Sequence, residues 1–183
     1  IEEALDQNIK IAVFASPNNP TGATLPKEQV LEWCDKFSET LFVIDEAYLD
    51  YGGNSLLPQA AERENLFVLR TFSKAWGIAG LRLGYMVGSE TLLNEIKKVK
   101  APYSVNSQAI AAALKLLKRK TEISNQINAV NDLKNQLKKE IENFGYKTIF
   151  GSGNSFLLGA GPDSQILADF CRSQGVLVRN QSS

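Results

Sequence analysis

TFSKAWGIAGLRLGY, residues 71–85, places a single lysine between two apolar runs. The first run, LFVLRT at residues 66–71, has the length and composition of a buried strand. Lys74 follows it closely, and Arg82 lies at the start of the second run, LRLGYMVG. Only about ten residues separate the two runs, whereas a parallel crossover needs a dozen or more. We therefore predict that the second run forms a strand antiparallel to the first.

Lys74 is a candidate for covalent chemistry. A lysine amine becomes nucleophilic when burial or nearby cations lower its pKa. Hydroxyl groups and an arginine together bind phosphate, and Thr71, Ser73 and Arg82 offer both. A reactive lysine beside a phosphate site predicts pyridoxal phosphate (PLP), whose aldehyde condenses with the amine. A Ser-Lys pair alone is more often an ordinary surface loop, so the prediction depends on other residues.

Composition narrows the possible functions. The 183 residues carry 20 basic and 20 acidic side chains, so no charge excess favours nucleic acid or an anionic membrane. No apolar run reaches the ~20 residues of a membrane span, and the two cysteines suggest a reducing cytosol. The absence of histidine excludes Ser-His-Asp and Cys-His catalysis. We expect a cytoplasmic enzyme that acts on small molecules and uses no metal. Because the sequence starts at Ile1 and not at Met, we also expect it to be a piece of a longer chain.

Strands and helices are predicted to alternate over the first seventy residues. A helix is expected after Pro26, with Val30, Cys34 and Phe37 on one face, and a weak helix near residues 56–63. This order is typical of a parallel sheet covered on both faces. With the reversed fourth strand, the prediction is an α/β fold whose sheet is mostly parallel. The three parallel strands are expected at residues 9–15, 41–44 and 66–70.

The second half of the sequence is expected to form longer helices and a smaller αβ unit. Ser89 is expected to start a helix that runs to about Val99, and Ser107 to cap one that ends near Leu117. Thr121 is expected to cap a long helix that Gly145 ends. Its apolar stripe from Ile123 to Phe144 could form a coiled-coil seam, but we expect it to pack on its own protein.

After that helix, KTIF, NSFLLG and GVLVR look like strands, and a further helix is expected near residues 165–173. We predict two parts: residues 1–118 belong to a large domain, and residues 119–183 form an interdomain helix and the start of a small C-terminal αβ domain.

Three polar segments follow the three predicted parallel strands. Residues 18–22 (NNPTG), Asp45 and Lys74 would therefore meet at the carboxyl edge of one sheet, where open α/β folds bind ligands. A buried carboxylate at Asp45 could keep a pyridine nitrogen protonated, while Asn19 and Tyr48 donate hydrogen bonds to the ring's phenolate oxygen. Taken singly, Asp45 could be a solvated strand end, residues 18–22 a plain turn, and Tyr48 a core tyrosine. Taken together and in this order, they favour a PLP site.

With these residues in view, the chain resembles the fold-type I PLP-dependent aminotransferases, and among them the histidinol-phosphate aminotransferase branch. The first three of five matching motifs are highly specific for the superfamily, and the last two point to the branch. The motifs are SPNNPTG (residues 16–22), VIDEAYLDY (43–51), RTFSKAWGIAGLRLGY (70–85), PYSVNS (102–107) and GVLVRNQSS (175–183).

The resemblance implies a role for each matching residue. Lys74 would be the Schiff-base lysine and general acid/base, and Asp45 the partner of the pyridine nitrogen. Asn19 and Tyr48 would bind the phenolate oxygen, and Asn19 would also face the substrate. Arg179 would contact the substrate's phosphate. The cofactor phosphate would be bound by Thr71, Ser73 and Arg82.

The resemblance also implies a cis bond before Pro20, a homodimer with shared active sites, and a long helix that bridges two domains. The family's phosphate loop, its ring-stacking aromatic residue and its α-carboxylate arginine would lie outside residues 1–183. We therefore expect the isolated chain to be inactive.

The function implied is ping-pong transamination between glutamate/2-oxoglutarate and histidinol phosphate/imidazole acetol phosphate, in histidine biosynthesis. Other members of the branch, such as threonine-phosphate decarboxylase or an aromatic aminotransferase, share the PLP residues. A transcription regulator with an aminotransferase-like effector domain is an alternative of another class. A structural fragment without activity is a third.

Overall fold

Two β-sheets organise the chain, and the computed structural model describes residues 1–181. The larger sheet has four strands in the order β1-β2-β3-β4. Its first three strands are parallel, and β4 pairs antiparallel with β3, so that Leu69 lies opposite Met86. The predicted mostly parallel sheet with one reversed strand is confirmed. The strands are β1 (Ile11–Ala15), β2 (Leu41–Asp45), β3 (Leu66–Thr71) and β4 (Gly84–Val87).

One face of this sheet carries the hydrophobic core. Alternate residues of β2 and β3 point into it, because side chains alternate along a strand. The helix α2 (Lys27–Lys36) covers this face with Val30, Trp33 and Cys34, and the short helices α1 (Glu2–Leu5) and α3 (Leu57–Ala60) complete it. Burial raises the pKa of the Cys34 thiol to about 11. The central core side chains are Phe42, Ile44, Leu66 and Val68.

The opposite face of the edge strand β1 is open. Ile11 and Val13 are exposed there, which corrects the expectation of a sheet covered on both faces. The two residues alternate with the buried Ala12, so they point away from α2. Among residues 1–181, no strand pairs with the outer edge of β1.

The helices in the second half begin close to the predicted positions, with two corrections. Ser89 caps α4 (Glu90–Val99), as predicted, by accepting a bond from the Leu92 amide. Asn106 rather than Ser107 caps α5 (Ser107–Leu117), because its side chain reaches the Ala109 amide at 2.7 Å. The long helix α6 (Lys120–Asn143) starts before Thr121 and has no side-chain cap. Gly145 follows its end at φ 80°, a left-handed conformation that suits glycine.

The apolar stripe of α6 is largely exposed in this chain. Ile123 is buried, but Leu133 and Phe144 are not. The expectation that the stripe packs on its own protein therefore holds for one end of the helix only. No helix within residues 1–181 is long and apolar enough to cross a membrane.

A two-stranded antiparallel sheet follows α6. It pairs β5 (Lys147–Phe150) with β6 (Phe156–Gly159), and α7 (Ser164–Ser173) comes next, as predicted. The predicted strand GVLVR is wrong, since residues 175–179 form no strand and Val176, Leu177 and Val178 are exposed. Ser182 and Ser183, the end of the last predicted motif and of the predicted second domain, lie outside the described residues.

We expect Phe42→Ala to lower the free energy of unfolding by about 3–5 kcal/mol, because it empties a fully buried site in the middle of the sheet. Phe144→Ala is the matched control, since that ring is 78% exposed, and it should change stability by about 0.5 kcal/mol or less. Urea unfolding of both variants followed by circular dichroism measures the difference. Equal effects would contradict the assignment of the core.

Candidate active site

The carboxyl ends of the three parallel strands meet at one edge of the large sheet. In the register, Ala15 lies opposite Asp45, and Asp45 lies opposite Leu69. The loops that begin at residues 16, 46 and 72 therefore start side by side. These loops contain the three polar segments that the sequence placed together.

The first loop is closed by bonds within itself. The peptide bonds before Pro17 and Pro20 are both cis, which confirms the expectation for Pro20. The Gly22 amide donates to the Asn18 carbonyl at 2.7 Å, and the Thr21 hydroxyl donates to the Asn18 side chain at 3.0 Å. Asn19 takes no part in these bonds and is exposed. Asn19 is thus accessible beside a loop that its neighbours hold closed.

The second loop corrects the sequence prediction about burial. Asp45, expected to be a buried carboxylate, is only half-buried and accepts a 2.9 Å bond from the Ala47 amide. The buried carboxylate is its neighbour Glu46, which is 2% exposed. Adjacent residues of a strand end point to opposite sides, so only one of the two can enter the core side. Tyr48 follows and is half-buried.

An ion-pair network fixes this second loop. Glu46 accepts bonds from the Ser55 hydroxyl and the Leu56 amide, both at 2.7 Å, and from the Arg70 guanidinium at 3.2 Å. Arg70 also pairs with Asp50 at 2.5 Å. The network ties both ends of residues 46–56 to strand β3, so that Asp45 and Tyr48 are presented on a braced loop.

The third loop gathers the predicted phosphate-binding residues. The Thr71 hydroxyl accepts a 3.0 Å bond from the Ser73 amide and donates to the Leu83 carbonyl at 3.3 Å. The Arg82 guanidinium lies 3.5 Å from the Ser73 hydroxyl and donates to the Ala79 carbonyl at 3.0 Å. Arg82 has φ 53°, in the left-handed region. Two hydroxyls and one cation are thereby brought together within the segment of residues 71–82.

Lys74 is exposed, which differs from the burial that its expected reactivity called for. Its ammonium group lies 4.9 Å from the centre of the Tyr48 ring. The second and third loops therefore meet through these two side chains.

A cavity of about 910 Å³ opens at this edge. Asn19, Tyr48 and Lys74 line it on the side of the large sheet, and Arg179 lines it on the far side. The other four predicted site residues, Asp45, Thr71, Ser73 and Arg82, do not line it.

Apart from Arg179, sequence reasoning missed the residues that form the far wall of this cavity. The wall is formed by residues 154–161, which begin at Asn154 and Ser155 before β6, by residues of α7, and by residues 178–181, which include Arg179. The only local signal is the pattern GSGN at residues 151–154, in which two glycines mark a tight turn.

Comparison with known proteins identifies the family. The family model described as "Aminotransferase class I and II" matches residues 1–183. The chain belongs to this family. Known relatives of the chain are named histidinol-phosphate aminotransferase. The one from Thermoanaerobacter sp. (strain X514) is 36% identical over 173 residues, and covers 94% of this chain and 49% of the relative.

Two further matches agree with this result. "Histidinol-phosphate aminotransferase 2" of Burkholderia pseudomallei (strain 1710b) is 39% identical over 172 residues, which are 94% of this chain and 48% of that protein. The chain thus spans about half the length of the curated relatives it matches. The crystal structure of histidinol-phosphate aminotransferase from Sinorhizobium meliloti with pyridoxal-5'-phosphate superposes with a TM-score of 0.89 at 23% identity, over 99% of this chain and 52% of that one.

The fold alone does not separate the members of this aminotransferase family from related enzymes. L-threonine-O-3-phosphate decarboxylase from Porphyromonas gingivalis superposes with a TM-score of 0.85 at 24% identity, over 100% of this chain and 58% of that one. Such similarity establishes a shared architecture and leaves the reaction to the site.

We expect Arg70→Met to destabilise the protein by about 3–5 kcal/mol, because it leaves the Glu46 carboxylate buried without its cation. Arg63→Met is the control: Arg63 pairs with the exposed Asp35, and loss of such a surface pair has a far smaller effect. Thermal unfolding of both variants tests this. A control that loses as much stability as Arg70→Met would show that the buried network is not the cause.

Proposed function

We propose that this chain supplies the PLP-binding half of an enzyme of histidine biosynthesis. The enzyme transfers the amino group of glutamate to imidazole acetol phosphate, and the products are 2-oxoglutarate and histidinol phosphate. One observation carries the proposal: Asn19, Tyr48 and Lys74 face one cavity at the carboxyl edge of the sheet. Membership of the aminotransferase family and the names of the relatives support this choice of substrates.

The residues of the site fit PLP. The Lys74 amine opens into a cavity large enough for a small cofactor and its substrate. The hydroxyls of Thr71 and Ser73 and the Arg82 guanidinium form a group that suits a phosphate dianion. When bound, PLP would supply an electron-withdrawing ring that weakens the Cα–H bond of the amino substrate.

Each residue has a separate task in this proposal. The Lys74 amine would hold the cofactor through its aldehyde group and would act as the general acid and base that moves the proton of the substrate's Cα. The Asp45 carboxylate would pair with the pyridine nitrogen and favour its protonated form. Asn19 and Tyr48 donate to the phenolate oxygen, and Arg179, on the far wall of the cavity, binds the substrate's phosphate.

We also propose the larger organisation that the family implies. Residues 1–118 belong to the PLP-binding domain, and residues 119–183 form the interdomain helix and the start of the small C-terminal domain. The full-length enzyme is a cytoplasmic homodimer. The chain alone is inactive, because catalysis depends on holding the reacting atoms in place and the curated relatives are about twice as long.

We expect the full-length protein to form glutamate from histidinol phosphate and 2-oxoglutarate, and Lys74→Ala to lower turnover by about 10²–10⁴-fold or more, since the proton carrier is removed. A coupled glutamate assay measures the rate. Lys139→Ala, a change at an exposed lysine on α6, is the control and should keep normal turnover.

Covalent labelling checks the same residue independently. Borohydride reduction of the PLP-loaded full-length protein should leave the pyridoxyl mass on the peptide that contains Lys74. Label on another lysine would refute the assignment, and release of CO₂ from threonine phosphate without glutamate formation would refute the proposed reaction.

We expect Asp45→Asn to retain PLP but to lose about 10²–10³-fold in turnover, because a neutral amide no longer stabilises a charge at the ring nitrogen in the closed site. Absorbance of the bound cofactor and steady-state kinetics separate binding from turnover. Asp132→Asn, at an exposed position on α6, is the control. Near-normal turnover of Asp45→Asn would show that this carboxylate only ends a strand.

A further inference from the structure

A tight turn between β5 and β6 touches both loops that carry Asn19 and Tyr48. We call residues 151–154 the glycine turn. The Ser152 amide donates to the Gly22 carbonyl at 2.9 Å, and a Cβ atom on either Gly22 or Gly151 would overlap the backbone of the other segment. The first loop and the turn are therefore in backbone contact, which only glycine allows at these positions.

The same turn packs on the second loop. Gly153 is buried against the Tyr48 side chain, where an added Cβ would lie 3.7 Å from the tyrosine Cβ. Just beyond the turn, the Ser155 hydroxyl lies 3.4 Å from the Pro20 carbonyl. The position of the turn thus sets the distance between the far wall of the cavity, at Asn154 and Ser155, and the near wall.

Lys134 of α6 holds this turn from behind. Its ammonium group donates to the carbonyls of Gly151 at 2.8 Å and Gly153 at 2.6 Å. One helical turn earlier, the Asn131 side chain donates to the Tyr51 carbonyl at 3.0 Å. Lys134 is half-buried, and this burial lowers its pKa. The two carbonyls supply acceptors for a charge that has lost part of its water.

We propose that Lys134 is a positioning residue of the active site: by binding the Gly151 and Gly153 carbonyls, it fixes the glycine turn against Gly22 and Tyr48 and so sets the width of the substrate cavity. This inference rests on the proposed function.

The position of Lys134 predicts which kinetic constant depends on it. Asp45 and Lys74 belong to loops at the edge of the large sheet, and the Glu46–Arg70 pair braces the second loop without the turn. The groups that perform the chemistry therefore stay in place when Lys134 is lost, whereas the wall at Asn154 and Ser155 moves. A change that weakens substrate binding without altering the chemical step raises KM and leaves kcat nearly unchanged.

The test compares Lys134→Met, Lys134→Gln and Lys134→Arg with the wild type, in the full-length PLP-loaded enzyme. Lys139→Met is the matched control, since it removes an exposed lysine from the same helix. KM and kcat are measured for histidinol phosphate and for glutamate. Hydrogen–deuterium exchange is measured on the peptide that contains the Ser152 amide.

For Lys134→Met and Lys134→Gln we expect KM to rise about tenfold or more with kcat within about threefold of wild type. Exchange at Ser152 should be faster, while exchange in β2 and β3 is unchanged. Lys134→Arg should keep both KM and the exchange at Ser152 close to wild type, because its guanidinium can reach two carbonyls. Lys139→Met should match the wild type in both measurements. If Lys134→Met does not fold, Lys134→Gln provides the same comparison.

Wild-type KM in the Met and Gln variants, even with a lowered melting temperature, would overturn the inference and leave Lys134 as a stabilising residue only. An equal loss of kcat and kcat/KM would also overturn it, since the effect would then be on the chemical step. A wild-type enzyme that uses neither substrate would refute the proposed function, and with it the role of Lys134 in that reaction.

Discussion

The buried carboxylate of Glu46 is the constraint on which the candidate site depends. A carboxylate that is 2% exposed must be paired, and here it is satisfied by a guanidinium, a hydroxyl and a backbone amide. These three partners come from residues 55, 56 and 70, so the pairing closes the loop after β2 onto β3. Asp45 and Tyr48 lie within or beside that closed loop. The network therefore fixes the backbone from which the Asp45 and Tyr48 side chains extend at the edge of the sheet.

The cavity is made by two parts of the chain that are far apart in sequence. The sheet edge contributes one wall, and residues from Asn154 onward contribute the other, at least 80 residues later in the chain (154 − 74 = 80). Their contact is through backbone at Gly22 and Gly151, where no side chain intervenes. The helix α6 reaches both parts through Asn131 and Lys134.

Short-range patterns predicted the elements of the large sheet well. The apolar runs at β1, β2 and β3 and the short link before β4 were sufficient to predict three parallel strands and one reversed strand. Burial was predicted less well. Asp45 and Glu46 are adjacent carboxylates, and only the direction in which each side chain leaves the strand makes Glu46 the buried one. The run GVLVR has strand composition but finds no partner among the described residues, and a strand needs a partner to satisfy its backbone.

The sequence by itself determined the family, the directions of the four strands of the large sheet and the identity of the groups at the carboxyl edge, because motif spacing and hydrophobic periodicity are local properties of the chain. Only the tertiary structure revealed the role of Glu46, the contact of Gly22 with Gly151, and the lysine behind the turn. These depend on which atoms meet across distances of 17 to 129 residues along the chain, as the pairs Lys134–Gly151 and Gly22–Gly151 show (151 − 134 = 17; 151 − 22 = 129). No local pattern encodes such meetings, since they follow from how separate elements pack.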